Sequence, residues 1–68
     1  MTTMKLYQRI YNPKINIASV KLLNYYSTEE AAKSALPKRI WRYNDDLVLE
    51  SEATILSPSK IEYYSIEK

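Results

Sequence analysis

Residues 27–37 have the sequence STEEAAKSALP, and this stretch decides the fold because it predicts one short helix with a defined start and end. Ser27 and Glu30 fit a capping box, in which the serine hydroxyl and the glutamate carboxylate each accept from the other residue's amide. The alanines that follow are good helix formers. Pro37 disfavours helical backbone at the residue before it. We therefore predict a helix over residues 28–36.

The residues before this helix predict two strands. Residues 5–11 alternate strictly between two faces. Residues 12–14 predict a turn, because proline presets φ at the second turn position. Residues 15–26 are rich in β-branched and aromatic side chains, which favours a second, longer strand. A helix is the alternative there, since Pro13 after Asn12 also suits a helix start; one helical face would then carry Ile15, Ala18, Leu22 and Tyr25.

The residues after the helix predict three more strands. Residues 38–43 and 47–56 form a hairpin around residues 44–46, since asparagine and aspartate tolerate left-handed backbone in a chain that has no glycine. A proline turn at residues 57–59 leads into a last strand over residues 60–66. The predicted order is ββαβββ, an α+β fold in which a small, mostly antiparallel sheet carries one helix packed on one face.

The composition limits the chain to one small core. Sixty-eight residues predict a single domain, 1–68, which buries about 60% of the surface that its unfolded chain exposes. There is no cysteine for disulfides or thiolate chemistry, and no histidine. Without thiolate or imidazole, zinc, copper and haem have no suitable set of ligands. Core packing must therefore stabilise the fold, with a partner chain as the remaining support.

The absence of glycine excludes P-loops and dinucleotide fingerprints. The absence of histidine excludes a Ser-His-Asp or Cys-His arrangement within this chain. Ser57-Pro58-Ser59-Lys60 matches a Ser-x-x-Lys pattern but lacks the companion motifs of that enzyme class. Glu50 and Glu52 share a strand face without a sugar cleft, and Asn44-Asp45-Asp46 lacks the spacing of a calcium loop. We predict a protein that is not an enzyme and has no catalytic residue, metal or cofactor.

One predicted surface combines aromatic and basic side chains. If Leu6 and Ile10 face the helix and Ile40 packs inward, one sheet face carries all the predicted partner-binding residues: Lys5, Tyr7, Arg9, Tyr11, Arg39, Trp41 and Tyr43. Tyrosine, tryptophan and arginine dominate protein–protein hot spots. Aromatic and cationic side chains on a sheet also suit single-stranded nucleic acid. The third interpretation is that these are ordinary strand residues, because aromatic side chains favour strands in any case.

The charges are distributed unevenly along the chain. The net charge is +2, but residues 1–44 are basic and residues 45–68 are acidic. Such asymmetry marks either an electrostatically directed interface or strands of opposite charge that pair in one sheet. The low net charge and the acidic C-terminal strands favour a protein partner over nucleic acid.

Residues 26–33 resemble the opening helix of excisionase-type helix-turn-helix proteins. The glycine-containing turn and the recognition helix of that family are absent from the sequence that follows, where Pro37 and a strand-like run stand instead. The resemblance therefore ends after eight residues and predicts no helix-turn-helix.

These exclusions leave binding to another molecule as the expected function of this small protein. We expect it to inhibit or regulate a larger host protein, as anti-CRISPR proteins and other inhibitors from phages and mobile elements do. A nucleic-acid-binding regulator and a homo-oligomeric structural protein are the alternatives. No apolar stretch approaches the roughly 18 residues of a membrane span, and the N-terminus lacks the apolar segment of a signal peptide. We therefore expect a cytoplasmic protein without a membrane partner.

Overall fold

The computed structural model describes residues 3–68 and places six strands in one antiparallel sheet. The elements are β1 (Met4–Asn12), β2 (Ile17–Tyr26), α1 (Glu29–Ser34), β3 (Trp41–Tyr43), β4 (Leu49–Ser51), β5 (Thr54–Ser57) and β6 (Lys60–Glu67). The strand order is β2-β1-β6-β4-β3, and β5 also pairs with β6. The α+β class with an antiparallel sheet is confirmed, whereas the order of elements is ββαββββ instead of the predicted ββαβββ.

The extra strand arises because the predicted strand 47–56 is broken at Glu52. The Glu52 carboxylate accepts from the amide of Ile40 at 2.7 Å, and the Glu52 amide donates to the Ile40 carbonyl at 3.1 Å. The Ile40 amide, more than any other group, holds the pKa of the Glu52 carboxyl below its usual value. With its backbone and side chain both bonded to Ile40, Glu52 ends β4, and β5 starts at Thr54 along a different part of β6.

Residues 17–26 form a strand, so the strand interpretation of this segment is confirmed and the helical alternative is wrong. The turn between β1 and β2 is closed by the Asn12 side chain, which accepts from the amide of Lys14 at 3.0 Å. Asn16 supplies the left-handed backbone that the turn needs, with φ 54°. Its side chain accepts from the hydroxyl of Tyr11 at 2.7 Å, which ties the turn to β1.

The β3–β4 turn uses Asn44 as predicted, but its left-handed residue is Leu47. The Asn44 side chain accepts from the amides of Asp46 and Val48, each at 2.9 Å. Leu47 has φ 62°, a conformation in which its Cβ crowds the backbone. The sequence pattern points to Asn or Asp for this role, because short polar side chains tolerate left-handed backbone better than leucine does.

Helix α1 starts one residue later than predicted and is shorter. Thr28 is the N-cap, and its hydroxyl accepts from the amide of Ala31 at 3.1 Å. The predicted capping box of Ser27 and Glu30 is therefore wrong. Serine and threonine are both good N-cap residues, so the sequence does not decide which of the two neighbours caps the helix. The helix ends at Ser34, two residues before the predicted end. No helix among residues 3–68 has the length and apolar character to cross a membrane.

The core lies under α1 at one end of the sheet. Its buried side chains come from β1, α1, β4 and β6: Met4, Leu6, Ala32, Leu49 and Ile66. Leu6 and Leu49 lie on either side of Ile66 in the strand register, so three neighbouring strands contribute one side chain each. Partly buried Tyr26, Leu36, Trp41 and Tyr64 pack around this group. The helix therefore covers only part of one sheet face.

Replacing the cap tests the corrected helix start. Thr28→Ala is expected to lower the free energy of unfolding by about 1 kcal/mol, because the Ala31 amide loses its acceptor. Ser27→Ala is the matched control and is expected to change stability much less, since its hydroxyl does not cap the helix. Urea denaturation followed by circular dichroism measures both. A larger loss for Ser27→Ala than for Thr28→Ala would restore the predicted cap.

Candidate functional site

The two faces of the sheet differ, because successive side chains of each strand point to opposite sides. One face carries the core and α1; we call the other the open face. The strand register places these residues on the open face: Lys5, Tyr7, Arg9 and Tyr11 from β1, Ala18, Val20, Leu22 and Tyr25 from β2, Arg42 from β3, Glu50 from β4, Ile55 from β5, and Ile61, Tyr63, Ser65 and Glu67 from β6. No helix packs on this face among the described residues, since α1 lies on the other side.

The centre of the open face carries aliphatic and aromatic side chains from three strands around Arg9. Tyr11 lies between Ala18 and Ile61 in the register, and Arg9 lies between Val20 and Tyr63. Val20 is 51% exposed, and the tyrosines of β1 and β6 are half-buried. A continuous patch of this kind on one side of a small domain is typical of an interaction surface.

Four of the seven predicted site residues, those of β1, lie together on the open face. Among them Arg9 is held by internal contacts. Its Nε donates to the Ser65 hydroxyl at 2.9 Å, and its Nη2 forms a 2.8 Å ion pair with Glu67. The guanidinium carbon also lies 5.8 Å from the centre of the Tyr7 ring. Arg9 therefore shapes the patch and supports Tyr7, with its charge already compensated.

The other cations of the open face also lie beside carboxylates. Lys5 is the register partner of Glu67, and Arg42 is the register partner of Glu50. The uneven charge along the chain thus brings basic strands next to acidic ones, which confirms the cross-strand interpretation.

Trp41 and Tyr43 lie on the helix side of the sheet, so their predicted place beside Tyr7 is wrong. Trp41 packs against the core, and the Tyr43 hydroxyl donates to Glu29 of α1 at 2.8 Å. The prediction assumed that Ile40 packs inward, but Ile40 precedes β3 and is 66% exposed. Because side chains alternate, an error of one residue in phase moves every side chain of the strand to the opposite face.

Arg39, the remaining predicted residue, also lies on the helix side, and its guanidinium is bound by several side chains of the same chain. It forms ion pairs with Glu52 at 3.4 Å and Glu62 at 3.5 Å, and it donates to the Thr54 hydroxyl at 3.1 Å. Its guanidinium carbon lies 4.9 Å from the centre of the Tyr64 ring. Arg39 therefore joins the segment before β3 to β5 and β6, and its role is structural.

A recess of about 490 Å³ lies on the helix side, where Met4 and Ile66 form its floor beside Tyr43 and Glu29. The hydrogen bond to the Glu29 carboxylate raises the pKa of the Tyr43 phenol. These two polar groups therefore bind each other across the recess and do not converge on a ligand. Among residues 3–68 no three His, Cys, Asp or Glu side chains are placed to hold a metal ion.

The sequence-based site missed the contributions of β2 and β6 to the open face. Ile61 and Tyr63 alternate in the last strand, and Val20 and Leu22 alternate in β2. This alternation predicts which side chains of one strand share a face. It did not show that β6 returns to pair with β1, and that pairing is what brings Tyr63 next to Arg9.

Comparison of the chain with protein-family models, with curated proteins and with solved structures finds no match.

Proposed function

We propose that this chain is a non-catalytic binding domain that recognises another protein through its open face. The observation that carries the proposal is the uncovered aliphatic and aromatic patch across β2, β1 and β6. Tyrosines such as Tyr7 and Tyr63 bury a large area while keeping a polar hydroxyl for the partner. The partner surface that fits this patch is apolar at its centre and nearly neutral, because the cations of the open face lie beside carboxylates.

We extend the proposal to inhibition or regulation of a larger protein. The chain contains neither histidine nor cysteine, and in this proposal it acts on its partner by covering a surface of it, in the manner of anti-CRISPR proteins and related inhibitors. Support for this part comes from the composition of the chain and from the open face, whose patch extends over three neighbouring strands. Such a face suits contact with a protein surface better than enclosure of a small molecule.

Tyr63→Ala, paired with Tyr43→Ala, tests the open face. Truncating a tyrosine at the centre of an interface is expected to weaken binding by at least 2 kcal/mol, or about 30-fold. Tyr43→Ala is the matched control, since Tyr43 is exposed on the helix side. The partner is first captured from the source cells, with and without nuclease, and its affinity for each purified variant is then measured by calorimetry.

The expected result is loss of affinity for Tyr63→Ala alone, with the circular dichroism of both variants unchanged. Equal affinity of the two variants would contradict the open face as the binding surface. Capture that disappears after nuclease treatment would contradict the protein partner and point to nucleic acid.

A further inference from the structure

The outer edge of β2 is a second unpartnered surface, formed by backbone groups at one border of the open face. β2 is the terminal strand of the sheet, so one side of its ten-residue backbone pairs with β1 and the other pairs with no strand of the described chain. Nine of its ten residues are exposed. The amides and carbonyls along such an edge are a template for pairing with another strand.

Proteins usually protect an edge strand with charges, proline or a cover, and β2 has little of this protection. Lys21 is its only charged residue, and it contains no proline. Its exposed side chains are mainly apolar, among them Ile17 and Val20. The one irregularity is the bulge near Leu23, where the register with β1 shifts. The segment from Ile17 to Leu22 is therefore a regular, apolar and unprotected edge.

We propose that this edge pairs with the same edge of a second copy, antiparallel and around a two-fold axis, which joins two sheets into one. Two-fold pairing of identical strands places one residue opposite its own copy. The candidates within the regular segment differ in their charges. Centring on Lys21 places two ammonium groups opposite each other, which is unfavourable. Centring on Leu22 extends the pairing into the bulge.

The register centred on Val20 avoids both problems. It places Val20 opposite Val20, Ala18 opposite Leu22, and Lys21 opposite Ser19, so that apolar side chains meet on the open face and each ammonium group meets a hydroxyl.

Val20→Lys is the variant that tests this dimer, with sedimentation equilibrium as the measurement. The substitution places two ammonium groups at the centre of the interface and is expected to weaken dimerisation about 100-fold or more. Ile55→Lys is the matched control, since Ile55 is exposed on the same face but on β5, at the opposite edge of the sheet from β2. A monomeric wild-type protein at millimolar concentration, or a dimer unaffected by Val20→Lys, would overturn the proposal.

Single cysteines test the register, because the described chain has no cysteine of its own. Directly opposite residues of an antiparallel pair have Cα atoms about 4.5–5.5 Å apart, within reach of a disulfide. Val20→Cys is therefore expected to give a covalent dimer on mild oxidation, and Lys21→Cys is not. Efficient cross-linking through Lys21→Cys instead would overturn the register. Tyr63→Ala, the variant that weakens partner binding in the proposed function, is expected to leave the dimer intact.

Discussion

Leu6→Ala is expected to lower the free energy of unfolding by about 2–5 kcal/mol, which is the typical cost of emptying a buried leucine site. Leu6 is 2% exposed and lies next to Ile66 in the centre of the core. The side chains around it come from three strands and α1, so no single element can move in to fill the cavity. For a domain of this size such a loss is a large part of the total stability, which is roughly 0.05–0.15 kcal/mol per residue.

The measurement is urea denaturation followed by the fluorescence of Trp41, the only tryptophan, which packs against the core. Leu56→Ala provides the matched control, because Leu56 is 50% exposed and the same atoms are removed from a site open to water. We expect it to cost less than half as much as Leu6→Ala. Similar losses for the two variants would mean that Leu6 does not occupy the centre of the core.

Ala32→Leu is expected to have the second largest effect on stability, a loss of about 1–3 kcal/mol from overpacking. Ala32 has no exposed surface and is the residue through which α1 contacts the core. A leucine there has no space unless the helix moves away from the sheet. That movement would also separate Tyr43 from Glu29, whose hydrogen bond joins β3 to α1.

Ala35→Leu is the control for this substitution, since Ala35 is exposed just after the helix. Leucine and alanine differ little in helix propensity, so the control is expected to change stability by only a few tenths of a kcal/mol. Thermal unfolding by circular dichroism compares the two variants. A neutral Ala32→Leu would show that α1 does not pack closely on the sheet.

Most elements of the fold and the β3–β4 hairpin followed from local sequence signals, whereas the break at Glu52 and the pairing of β1 with β6 did not. The alternation of residues 5–11 and the capped helix after Tyr26 are short-range patterns, and they predicted β1 and α1 closely. The break at Glu52 has no such signal, since neither proline nor glycine marks it. It depends on hydrogen bonds with Ile40, twelve residues earlier.

The candidate site was predicted only in part, for a related physical reason. The β1 residues were assigned to the correct face because their alternation is regular and Leu6 clearly belongs to the core. For β3 the choice lay between burying Ile40 and burying Trp41, and a three-residue strand contains too little alternation to decide. The larger apolar area of tryptophan is buried against the core.

The two proposed surfaces have a joint consequence. A two-fold axis perpendicular to the sheet keeps both open faces on the same side of the dimer. Val20 and Leu22 of each copy would then lie at the middle of one continuous surface that carries Tyr7 and Tyr63 twice. A partner with two equivalent sites would bind such a surface more tightly than the monomer, because the second contact forms within the same complex.

The pairing of β1 with β6 also limits the rate at which the chain can fold. These strands are separated by nearly the whole described sequence, yet they are neighbours in the sheet. Because β1 and β6 are far apart in sequence, the chain must close a long loop before their contact contributes any energy. Proteins dominated by such contacts fold in milliseconds to seconds instead of microseconds. Until β6 pairs with β1, the inner edge of β1 has no partner strand.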